Sequence, residues 1–72
     1  MALSLPHRLV AFLAAERPFA FCQRCLAQSL EATQVDVRAS IKVALITHAG
    51  ITVRRAACDR CRTFGAVVML KA

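Results

Sequence analysis

Four cysteines, Cys22, Cys25, Cys58 and Cys61, fall into two Cys-x-x-Cys pairs with none left over. Two intervening residues let both thiolates of a pair face one ion, and two such pairs complete a tetrahedral set of sulfurs. That set is closed, whereas a catalytic metal keeps a coordination position open. The pattern therefore points to one structural Zn²⁺. Three other readings compete. Iron in a four-thiolate site shares the spacing, usually with glycine soon after each pair, where this chain has Leu26 and Arg62. Two disulfides would make a redox protein, but the chain lacks the β-α-β surroundings of such a fold. Free buried cysteines are the plainest alternative.

Other chemistry is scarce. The carboxylates are Glu16, Glu31, Asp36 and Asp59, none paired by spacing, and no serine–histidine–acid set can be assembled. His7 and His48 each stand alone. The sequence thus reads as non-enzymatic, with no small-molecule substrate. Charge is the second signal: ten Lys and Arg face four Asp and Glu, for a net +6. Four thiolates with one Zn²⁺ contribute two negative charges, leaving about +4 in the loaded domain. Arg54, Arg55, Arg60 and Arg62 cluster around the second cysteine pair. Such a cluster beside a helical pair suits phosphate, although charge runs are ordinarily just solvated surface.

These residues must be held by very little chain. Seventy-two residues make one domain, 1–72, and a chain this short buries only about 60% of its unfolded surface. Scaffolds of this size usually carry a staple, and zinc binding can contribute about 10–16 kcal/mol to folding. The 58% apolar content does not make a membrane span. The longest charge-free run, Val43 to Val53, falls well short of the ~18–20 residues needed. The apolar stretch after Arg8 fits an amphipathic helix better than a signal peptide. The expected location is cytoplasmic, where paired cysteines serve as metal ligands more often than as disulfides.

The first helix is expected from Leu5 to Glu16, with Ser4 as N-cap, Pro6 in the first turn and Pro18 as its stop. Leu5, Leu9, Phe12 and Leu13 share one of its faces. Phe19 and Phe21 then read as core anchors. A short second helix runs from Gln23 to Glu31. A third begins after Thr33, an N-cap with Asp36 three residues on. Val37, Ile41, Ala44, Leu45 and His48 form its inward stripe, and Gly50 its terminator. Ile51–Ala56 and Phe64–Leu70 read as the strands of a hairpin.

The stretch from Leu26 to Arg38, continued by His48-Ala49-Gly50-Ile51-Thr52-Val53-Arg54-Arg55, resembles bacterial winged helix-turn-helix DNA-binding domains. The cysteine pairs resemble a zinc-ribbon-like site. The likeness covers about Cys25 to Leu70 and implies an α+β fold: three helices, then a β-hairpin wing stapled by zinc. It implies a small transcriptional regulator that binds double-stranded DNA. Gln34 and Arg38 on the third helix would reach base edges and Lys42 a phosphate, with Arg54, Arg55, Arg60 and Arg62 on the wing. One departure is the turn between the second and third helices. The family commonly has glycine there; this chain has Glu31-Ala32, so the turn is expected to be longer or helical instead. Val43 and Ile46 are apolar at outward positions of the third helix, which suits a partner surface or homodimer contact. The alternative function is therefore a zinc-stabilised interaction module that does not touch DNA.

Overall fold

A computed structural model describing residues 4–71 contains three helices and a three-stranded antiparallel sheet. In chain order these are α1 (Leu5–Ala15), β1 (Phe21–Cys22), α2 (Gln23–Leu30), α3 (Gln34–Thr47), β2 (Ile51–Ala57) and β3 (Phe64–Leu70). The sheet runs β1-β3-β2, with Cys22 opposite Val67 and Val53 opposite Val68. α1 packs chiefly on α3, and α2 lies against α3. Leu9, Leu13, Leu26, Val37 and Val67 are fully buried between the layers. None of the described helices is long and apolar enough to cross a membrane.

The helix starts follow local chemistry. Thr33 Oγ1 accepts the Asp36 N–H at 3.1 Å, as an N-cap should. α2 is capped by a thiol: Cys22 Sγ accepts the Cys25 N–H at 3.5 Å. Ser4 stands at the N-cap of α1 but makes no capping bond there; its hydroxyl pairs with His7 Nδ1 at 3.0 Å. The Arg8 guanidinium reaches across to the Leu30 carbonyl at 2.5 Å, satisfying one of the orphan acceptors at the end of α2.

The structure corrects the sequence reading at five places. The turn between α2 and α3 is neither long nor helical. Glu31 itself adopts the left-handed conformation, φ 53°, ψ 48°, with its N–H bonded to the Ala27 and Gln28 carbonyls. The Ala32 N–H then returns to Ala27 O at 2.9 Å, closing the turn as glycine would. Phe19 is not a core anchor but is 53% exposed, because its N–H closes the turn after α1 on Glu16 O; only Phe21 enters the core. Leu45 and His48 leave the inward stripe, which consists of Val37, Ser40, Ile41 and Ala44. Leu45 faces the hairpin side, and His48 lies beyond the last helical residue. Gly50 does not terminate α3 in a left-handed conformation. It lies where a Cβ would come within 3.0 Å of the Leu70 side chain, so it serves close packing of the sheet end. Finally, β1 was unforeseen, since two residues carry no periodicity.

A left-handed Glu costs about 1–2 kcal/mol, and glycine's larger unfolded entropy offsets part of that gain. Glu31→Gly is therefore expected to raise the urea midpoint, with a gain of about 0.5–1 kcal/mol. A midpoint at or below that of the parent would contradict the strain.

Candidate functional site

The two cysteine pairs meet. Cys22 and Cys25 lie at the β1–α2 junction, and Cys58 and Cys61 lie in the loop joining β2 to β3. All four sulfurs lie within 4.8 Å of one another. Cys22 Sγ is 3.7 Å from Cys61 Sγ, and Cys58 Sγ is 3.7 Å from Cys25 Sγ. A tetrahedral ion with metal–sulfur bonds of about 2.3 Å requires sulfur–sulfur edges of about 3.8 Å. The residues therefore fit a four-coordinate metal ion, with Cys25 and Cys58 buried and Cys22 and Cys61 half-buried.

Backbone N–H groups point at the sulfurs from several sides. Cys58 Sγ accepts from Cys22 N–H at 3.3 Å and Arg60 N–H at 3.4 Å. The loop is closed on itself by Cys58 N–H to Thr63 O and by Arg62 N–H to Cys58 O. Arg62 takes φ 66° there, so arginine occupies a left-handed position directly after the second cysteine of the pair. Asp59 ties the loop to the segment before β1: its Oδ2 accepts the Ala20 N–H at 2.6 Å, and its own N–H donates to Ala20 O at 2.9 Å. Nothing about Asp59 in the sequence beyond its place after Cys58 signals this clamp.

These surroundings divide the thiols. Burial, reinforced by the neighbouring cysteines, pushes the Cys25 thiol up to about 12. The Thr63 hydroxyl and N–H pull Cys61 down to about 5. Burial raises Cys58, but the N–H groups of Cys61, Cys22 and Arg60 outweigh it and leave its thiol below the ordinary value. At neutral pH Cys61 is thus a ready thiolate, and Cys25 keeps its proton until an ion displaces it. Metal loading at pH 7 is expected to release at least one proton. Affinity should fall as pH falls, more steeply once Cys61 also protonates near pH 5. Calorimetry in two buffers of different ionisation enthalpy checks this; identical heats would contradict it.

The cations divide as well. Gln34, Arg38 and Lys42 are exposed on α3, and Arg54, Arg55 and Arg62 on the hairpin. Arg38, Lys42 and Leu45 line a groove of about 280 Å³ whose other side is formed by Val53, Ala66 and Val68 of the hairpin. Arg55 lies two residues from Val53 and so on the same sheet face. Arg54 projects to the opposite face, so the two wing arginines do not form one patch. Arg60 is exposed too but is engaged by its neighbours: it bonds Ser29 Oγ and lies over the Phe12 and Phe21 rings at 5.9 and 5.6 Å. Those two rings meet edge to face at 5.2 Å. Val35, Val43 and Ile46 are 72%, 45% and 86% exposed, an apolar ridge on the outer side of α3.

No family model, no curated protein and no solved structure matches the chain.

Proposed function

We propose that the protein is a zinc-stapled winged helix-turn-helix domain that binds duplex DNA through α3 and the β2–β3 hairpin. The observation that carries this reading is the groove in which Arg38 and Lys42 of α3 face the hairpin, with Arg55 on the same sheet face. The element order supports it too: α2 and α3 joined by the tight Glu31 turn form the helical pair, and the hairpin follows as the wing. Within this reading zinc is the ion of the four-cysteine site, because all-thiolate tetrahedral coordination is a typical structural zinc environment. It joins the wing loop to the head of α2, so the angle between wing and α3 depends on it. Gln34 and Arg38 near the start of α3 would contact base edges, and Lys42 and Arg55 phosphates. Arg54 and Arg62 would act on the outer face of the wing, and Arg60 would hold the loop.

Titration of the zinc-loaded protein with duplex DNA at two salt concentrations tests the proposal. Binding that weakens steeply with salt is expected. Weak binding independent of salt would overturn it. A second reading, a protein-interaction or dimerisation module, is favoured by the exposed ridge of Val35, Val43 and Ile46. It predicts self-association that rises with concentration and is lost in Val43→Asp.

A further inference from the structure

On the edge of β3 opposite β2 lies a second cleft, of about 380 Å³, which adjoins the groove beside α3 and shares Gln23 and Ala66 with it. β1 is only two residues long and pairs with Val67 and Val68, so the β3 edge from Phe64 to Ala66 has no strand beside it. Phe64 forms part of the cleft and is 65% exposed. The Arg55 guanidinium sits 5.7 Å from its ring centroid. Arg24, Gln34 and Thr63 supply polar groups around the same space. An exposed aromatic ring beside cations and hydrogen-bonding side chains is what a nucleobase stacks on.

Gly65 provides a second, independent observation. Glycine weakens a strand interior, so its presence needs a reason. Its backbone does not demand it, since the described glycines have no positive φ. Packing does not demand it either, because a Cβ there would meet nothing within 4 Å. Gly65 lines the cleft, and without a side chain its backbone is open to close approach there, as a strand glycine is where a ligand binds.

We propose that this cleft is a nucleobase-binding site in which an unpaired base of a single-stranded nucleic acid stacks on Phe64 at the open β3 edge. Gln34 and Thr63 offer hydrogen bonds to the base, and Arg24 and Arg55 are placed for the adjoining phosphates. The inference rests on the nucleic-acid reading above and extends it from duplex to single strand.

The test uses zinc-loaded full-length protein and fluorescence titration with oligothymidine and, in parallel, with duplex DNA. Phe64→Ala should weaken oligothymidine binding by about 5- to 150-fold, the loss of one stacked base, with its salt slope unchanged. Phe64→Trp should retain the affinity. Gly65→Val adds a side chain at the cleft lining, where a Cβ meets nothing within 4 Å, so it should weaken oligothymidine binding while thermal stability holds or rises. Both effects together support the site. If Phe64→Ala and Gly65→Val each bind oligothymidine within about twofold of the parent, the site is overturned and the duplex reading stands. If the parent binds neither nucleic acid, the nucleic-acid reading falls and the site with it.

Discussion

Chelating the metal from the zinc-loaded protein is expected to unfold it. The four cysteines join a two-residue strand and the head of α2 to the hairpin loop more than thirty residues later, at a junction otherwise held by the Asp59–Ala20 clamp, Arg60 and the short β1–β3 pairing. Zinc bound by four thiolates contributes about 10–16 kcal/mol to folding. The net stability of an ordinary domain is only about 5–15 kcal/mol, and this one is near the lower size limit for a self-sufficient core. Without the ion, two buried thiols remain at the centre of the junction, Cys58 at 0% and Cys25 at 3% exposure. The helical circular dichroism signal should collapse with EDTA and return when zinc is restored. Cys58→Ser should behave as the chelated protein does even with zinc present, since it removes a fully buried ligand. Cys61→Ser, at the half-buried edge of the site, should lose metal affinity with a smaller loss of fold. A dichroism signal unchanged by EDTA would show that the apolar core alone holds the domain.

The second large effect concerns charge. Arg38, Lys42 and Arg55 are the cations disposed around the α3–hairpin groove. Each phosphate contact contributes about 0.9 to the slope of log affinity against log salt. Replacing all three by alanine should therefore lower that slope by about 3 and weaken duplex binding on the order of 100- to 1,000-fold near 0.1 M salt. All three side chains are exposed, so folding and zinc content should hold. Val43→Asp and Ile46→Asp serve as the contrast. They lie outside the residues lining the groove and should leave the salt slope within about one contact of the parent. A triple variant that binds duplex DNA like the parent would move attention to the apolar ridge of α3 and the interaction-module reading.

Much of this architecture was legible in the chain. Thr33 with Asp36, the Pro18 stop and the β-branched run after Gly50 set element limits that the structure keeps to within a residue or two. The four-cysteine cluster was legible because the spacing lets two thiolates face one ion, and duplication supplies the other two. What escaped the sequence has a physical reason in each case. Left-handed Glu31 and Arg62 sit where residue type argues against the conformation, and tertiary closure overrides that preference. β1 exists only because β3 offers it an edge. Arg60 reads in the sequence as a wing cation, and its guanidinium is in addition held by Ser29 and the Phe12 and Phe21 rings, which no spacing signals. The opposed directions of Arg54 and Arg55 follow from strand geometry once the register is known. Gly65 carries no signal in sequence, because its meaning lies in the empty space beside it.

In the proposed domain, Cys22, Cys25, Cys58 and Cys61 hold one ion whose binding organises the fold. Titrating metal-free protein with Co²⁺, while recording visible absorption and far-ultraviolet circular dichroism on the same sample, tests it most directly. Intense tetrahedral cobalt–thiolate bands that saturate at one equivalent are expected, with helical signal appearing in step, and displacement of the bands by zinc. Full helical signal before any cobalt is added, or weak bands of six-coordinate cobalt, would contradict it.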